Sequence, residues 1–291
     1  MLPEAFRYRS LGGSVGSRPH LGATEFRLAG RPSPWRDPGE EHHDSLQCIA
    51  GSAKARFNDV DLRGSRFTDC VLSDVVMRGV DAQGIDIDDP WLLREGVLLV
   101  NGIDVVPFVR AELLRRFPGR AGMRATDLES LRGAWAAVEQ AWESTLDRVA
   151  AMPVETVGVS VDGEWSFSQT LRHLVLATDI WLRRAILGIE APFHPLGLPN
   201  DGFAEAGYDT SVLALGVPEY PEVLKARAGR VVMVREFLAG LEPDKLGEVT
   251  RNPWNPDRSE STLSCLHVIL SEEWEHLRFA VRDLDALEKR V

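Results

Sequence analysis

The chain is 291 residues long, 44% hydrophobic and 26% charged, which suits one large globular domain or two modest ones and excludes a disordered or fibrous chain. Its formal net charge of -11 repels nucleic-acid phosphate and anionic lipid, so no nucleic-acid partner is expected. With no apolar stretch of signal-peptide or membrane-span length, and three scattered cysteines (Cys48, Cys70, Cys265) without CxxC spacing, the expected setting is the cytoplasm, away from membranes.

Residues 1–45 are rich in Gly, Pro, Ser and Arg with little apolar periodicity, and are expected to be a disordered tail. His42 and His43 lie in this polar run and are read as solvated, because a metal site needs ligands held in place. Residues 46–95 take up a different rhythm. From Ala55 the chain reads ARFND, VDLRG, SRFTD, CVLSD, VVMRG, VDAQG, IDIDD, with centres at Phe57, Leu62, Phe67, Leu72, Met77, Ala82 and Ile87. Neither a helix of period 3.6 nor a strand of period 2 gives a five-residue spacing, so this is an internal repeat. It resembles the pentapeptide-repeat family, which implies a short right-handed β-helix with the central residues pointing inward. On that resemblance Phe57, Leu62, Phe67 and Leu72 are expected to share one narrow core. The stretch is too short for a self-sufficient solenoid, and a cap or docking surface is a better expectation for it than DNA mimicry.

Residues 96–125 form a connecting segment, and helical patterning begins with residue 126. Helices are expected over 126–151, 167–187, 221–241 and 262–289, with no strand signal between them, which makes the fold mainly α and residues 126–291 a four-helix bundle. Ser166 and Gln169 form a capping-box pair at the second helix, Gly188 follows its last turn, and Pro221 opens the third. The connection from the second to the third helix runs about thirty residues, long enough to be either a lid over the bundle's open end or a packed surface loop.

Two of these helices place polar residues beside apolar stripes. On the last, Leu263, Leu266, Leu270, Trp274, Leu277, Val281 and Leu284 form a broad apolar face, and Glu272 and His276 fall beside the neighbouring stripe of Ile269, Ala280 and Leu287. Its polar side carries Ser271, Glu275, Arg278, Arg282 and Asp285. On the second helix His173 shares its side with Ile180 and Leu187, while Arg172, Asp179 and Arg183 mark the expected wet face. An inward ionised carboxylate must protonate, pair or coordinate metal. A Glu and a His four apart project as neighbours, and one His from a facing helix would complete three corners of a tetrahedron. Three imidazole and carboxylate ligands leave a fourth position open, the arrangement of a catalytic rather than a structural zinc site. The bland alternative is a His satisfied within the core.

GEWSFSQTLRHLVLATDIWLRRAILG followed by SCLHVILSEEWEHLRFAVRDLDALE resembles the DinB-like superfamily, in the His of the second helix and the acidic residue four before a His in the last. The resemblance covers about 126–288. The His, Glu, His set is similar to that of mycothiol-dependent maleylpyruvate isomerases, which implies His173, Glu272 and His276 as ligands of a divalent metal, Zn²⁺ first among the candidates. It also implies a transferase or isomerase using a low-molecular-weight thiol such as mycothiol on a small-molecule substrate. The competing reading is a non-enzymatic metal-containing interaction module that docks through the repeat. His267 lies nine residues before His276, toward the opposite side of the helix, and His194 lies in the long loop; both are assigned to the surface. Cys265 reads as a small core residue. The oligomeric state stays open, a dimer included.

Overall fold

The computed structural model describes residues 25–26, 56–57, 60–67, 70–200, 202–205, 207–213, 216–255 and 257–290. The chain divides into one unit within residues 6–83 and another carrying residues 84–291. Apart from Glu25–Phe26, the expected tail over 1–45, with His42 and His43, lies outside the described residues, as does Cys48.

In the first unit, β1 (Glu25–Phe26) pairs in parallel with β2 (Arg56–Phe57). The five-residue period becomes a run of turns. Leu62 and Leu72 each accept a backbone hydrogen bond from the residue three ahead, and Gly64 and Asp74, two residues past those centres, have positive φ. Glycine enters this left-handed region freely, and aspartate is among the few other residues that tolerate it. The expected common core of pentad centres is corrected. Phe57 is 51% exposed, Phe67 56% and Leu72 53%, and Leu62 is only half-buried. A stub this short lacks the stacked neighbours through which repeat units cover their apolar centres.

The second unit begins with the short helix α1 (Leu92–Glu95) and a hairpin of β3 (Leu99–Val100) and β4 (Ile103–Asp104). Its turn is Asn101-Gly102, both at positive φ as a tight two-residue hairpin demands. Helix α2 (Val106–Arg116) follows, and then a 3₁₀ stretch, Pro118–Arg124, that presses on the bundle. A Cβ on Gly119 would lie 2.7 Å from the Ala137 Cβ and 2.8 Å from the Trp274 ring, so only glycine lets the backbone come this close. The Arg120 guanidinium donates to the Glu275 carboxylate from the same stretch.

The bundle itself consists of α3 (Leu128–Ala150), α4 (Phe167–Thr178), α6 (Tyr220–Gly240) and α7 (Thr262–Glu288); the short α5 (Gly202–Glu205) lies in the long connection. Asp127, Ser166 and Ser261 cap three of these helices by accepting backbone N–H bonds, and the Ser166–Gln169 capping box is complete. Helix α4 continues through a π-helical stretch, Asp179–Ile186, which ends before Gly188 at φ 66°.

Contacts along the helices fix their directions. Ala125, just before α3, meets His267 near the start of α7, and Arg148 at the end of α3 pairs with Asp285 and Glu288 at the end of α7, so these two run parallel. Arg132 near the start of α3 donates to the Leu238 carbonyl near the end of α6, which makes that pair antiparallel. Glu164 before α4 pairs with Arg282 late in α7, while Thr250 before α7 donates to Ala185 after α4. Helix α4 therefore opposes α7 and runs parallel to α6. Two parallel neighbours need a crossover, which is the structural reason for the long connection. The fully buried side chains of Leu131, Trp135, Leu171, Leu174, Trp181, Leu277 and Leu284 fill the centre.

Several surface assignments are corrected. A hairpin of β5 (Val249–Arg251) and β6 (Ser259–Ser261) precedes α7, where no strand was expected. Arg172 and Asp179, assigned to the wet face, are buried at 6% and 0% exposure, because the long connection covers that side of α4. Asp179 receives Arg230 at 2.8 and 3.0 Å, Arg183 at 3.2 Å and the His194 N–H at 2.8 Å. Leu187, expected inside, is 47% exposed where the helix ends. Ser271 is buried too, donating to the His267 carbonyl at 2.7 Å. Among the described residues, no helix is long and apolar enough to cross a membrane.

Candidate metal centre

Helix α4 carries His173 two turns in from its capped start, and α7 carries Glu272 and His276 one turn apart on the side facing α4. The antiparallel course of these helices brings the three side chains together. His173 Nε2 lies 3.5 Å from Glu272 Oε2, and His276 Nε2 lies 3.2 Å from the same oxygen. One ligand atom from each residue falls within 4.8 Å of the others. A tetrahedral metal about 2.0–2.1 Å from each ligand separates ligand atoms by about 3.4 Å, which the two spacings to Glu272 Oε2 match. Among the described residues, no other group of His, Cys, Asp and Glu is so arranged.

The surroundings orient His173 and set the charge on Glu272 and His276. His173 Nδ1 lies 3.2 Å from the Leu198 carbonyl, which can only accept, so Nδ1 carries the proton and donates it there. Nε2 is then the ring nitrogen that faces the Glu272 carboxylate, 3.5 Å away in a largely buried place, where a cation between the two, a proton or a metal, offsets the cost of burying the charge. Burial pushes the Glu272 carboxyl up, but the imidazoles of His173 and His276 more than offset that and hold it down at about 2, so it is ionised at neutral pH. Burial pushes His276 below the usual imidazole range, more than the facing Glu272 raises it, which leaves its ring neutral. An ionised carboxylate beside a neutral His276 is the protonation state that a divalent metal takes.

Aromatic rings wall the centre. Trp165, next to the capping Ser166, sits 4.7 Å from the His173 ring and 6.0 Å from the His276 ring, nearly parallel to the latter at 21°. Phe279 meets His276 edge-on at 5.6 Å, with Arg278 and Arg282 over its own ring. Trp165 is a site residue that the ligand pattern alone does not reveal; its position before a helix cap and eight residues ahead of His173 is the signal that points to it. Next to Glu272, Glu273 turns the other way into the core, where it is 1% exposed and paired with Arg227.

The two other histidines considered lie elsewhere, but neither is a simple surface residue. His267 is half-buried, its Nε2 donating to the Ala125 carbonyl at 2.7 Å to hold the entry to α3. His194 accepts the Leu196 N–H on Nδ1 at 3.1 Å and shapes the long connection. Cys265 is fully buried, as expected, and burial pushes its thiol up to about 12, which removes it as a nucleophile. The connection does reach the centre, since Leu198 is the carbonyl that His173 meets.

Comparison with known families finds the DinB superfamily over residues 137–280 and pentapeptide repeats, in 8 copies, over residues 55–89. No curated protein and no solved structure matches the chain.

Proposed function

We propose that this chain, whose residues 137–280 are a DinB superfamily domain, is a metal-dependent transferase or isomerase that uses a low-molecular-weight thiol such as mycothiol on a small electrophile. The observation that carries this reading is the convergence of His173 Nε2, Glu272 Oε2 and His276 Nε2, with the His173 tautomer held by Leu198. Those three residues would hold the metal. Mixed imidazole and carboxylate donors suit Zn²⁺ ahead of softer or purely oxygen-seeking ions. A divalent cation there supplies positive charge that lowers the pKa of a thiol brought beside it, making a nucleophile at neutral pH.

The rest of the site is the work of the chain's own side chains. Glu272 contributes the one negative charge among the three ligands, so a zinc centre keeps net positive charge to attract a thiolate. Trp165 and Phe279 exclude water from one side of the imidazoles and offer flat apolar surface to an organic substrate. In the repeat, Phe67, Val71, Leu72, Val76 and Met77 are more than half exposed, which favours a docking role for that segment beside the enzymatic role of the bundle.

Elemental analysis tests the reading. Purified protein reconstituted with zinc should hold about one equivalent, His276→Ala should lose it, and His267→Ala should keep it because that ring bonds Ala125 instead. A thiol panel on the zinc form should then show binding that the His276 variant lacks. Equal metal in wild type and His276→Ala, or none in either, would sink the proposal.

A further inference from the structure

The long connection returns to helix α4 at residues 194–198, and consecutive residues of that helix receive it. The Arg172 guanidinium donates from Nε to the Leu196 carbonyl at 2.9 Å and from Nη1 to the Gly216 carbonyl at 3.4 Å. The Leu198 N–H donates back to the Arg172 carbonyl at 3.2 Å. His173, the next residue, donates from Nδ1 to the Leu198 carbonyl. Within the segment, the Gly197 N–H closes a turn on the His194 carbonyl at 2.9 Å.

The carbonyl that sets the tautomer of a metal-facing imidazole is thus held in place by the residue preceding that imidazole. Arg172 is 6% exposed, although a guanidinium is costly to bury. Apolar side chains could anchor a loop at lower cost. What a planar, forked donor adds is direction, since it fixes where carbonyl oxygens lie. Outer partners that orient a ligating imidazole commonly govern metal affinity as strongly as tenfold to a hundredfold.

We propose that Arg172 is a positioning residue of the metal centre: by holding Leu196 and Gly216 it seats Leu198 over His173, fixing the ring so that Nδ1 meets the Leu198 carbonyl and Nε2 faces Glu272. The inference rests on the metal-centre reading above. It makes the long connection part of the site through its backbone.

Zinc affinity, measured by competition with a chromophoric chelator, separates the two ideas. Wild type that binds no zinc overturns the metal centre itself and the positioning role with it. If wild type binds, Arg172→Met should bind about tenfold to a hundredfold more weakly, and Arg172→Lys, which can still reach one carbonyl, should recover part of the loss. A second variant leaves Arg172 intact. A Cβ on Gly197 would meet the Leu176 side chain and the His194 carbonyl at 3.2 Å, so Gly197→Ala should lift the segment slightly and weaken zinc binding severalfold. The cobalt form of either variant should show an altered visible spectrum, a signature of changed ligand geometry that a merely structural latch would not produce. Arg172→Met with wild-type helicity, zinc affinity and cobalt spectrum refutes the positioning role. Should Arg172→Met fail to fold, unchanged affinity and spectrum in Gly197→Ala refute it instead.

Discussion

Asp179 offers the sharpest test of how the covered face of helix α4 is held. Its carboxylate is fully buried and accepts two hydrogen bonds from Arg230, one from Arg183 and one from the His194 backbone. Arg230 is itself only 9% exposed, so Asp179→Ala strands a buried cation and a buried N–H together. Breaking one side of a buried ion pair costs about 3–5 kcal/mol. Asp179→Asn keeps the shape and an acceptor but loses the charge, for an expected cost of about 1–3 kcal/mol. The double variant Asp179→Ala/Arg230→Met should be less damaged than Asp179→Ala alone, because it removes the stranded charge. Urea denaturation of the metal-free protein, followed by circular dichroism at neutral pH, gives each value. An Ala variant within about 1 kcal/mol of wild type would refute the reasoning, since a buried guanidinium without its carboxylate cannot be that cheap.

Two further outcomes are expected. Zinc binding should weaken as pH falls: the ligand form of His276 is neutral and burial holds its pKa below the usual 6.5, so affinity should be level above about pH 7 and drop steadily below about pH 6. A chelator titration from pH 5 to 8 measures this, and affinity independent of pH across that range counts against imidazole ligation. Gly119→Ala, whose Cβ would collide with Ala137 and Trp274, should destabilise by about 1–3 kcal/mol in thermal melts. Gly133→Ala in α3, with open space around it, should instead stabilise by about 0.5–1 kcal/mol. Equal effects at the two glycines would mean that the 118–124 stretch does not press on the bundle.

The helices were legible because their signals are local. Phe167 follows the capping Ser166, Thr262 follows Ser261, and the expected bounds of each bundle helix agree with the structure to within a few residues, apart from the π-helical end of the second. The His173, Glu272, His276 cluster was legible for a related reason, since one pair lies a helical turn apart and the third residue interrupts an apolar stripe. What failed was the inference that charge means solvent. Arg172 and Asp179 look like the outer face of an amphipathic helix until the connection from residue 188 onward folds over them. Nothing in the local pattern of α4 announces that cover. Helical periodicity reports a polar face, and whether water or another part of the chain meets that face is a tertiary fact.

The same gap hides the second half of the candidate metal centre. Ligand side chains are visible in a sequence because chemistry restricts which residues can serve, but the group orienting His173 is a backbone carbonyl, which any residue at position 198 would supply. The parallel course of α4 and α6 brings that carbonyl there: the chain must cross the length of the bundle between them, and in crossing it passes the helix that carries His173. The long connection is therefore packed against helix α4. It is fixed at Asp179 and at Arg172, and between those two points it meets the Nδ1 edge of His173. A change in the loop that moved Leu198 would alter the centre without touching a ligand, whereas replacing Leu198 by another residue that keeps the backbone in place would leave it intact.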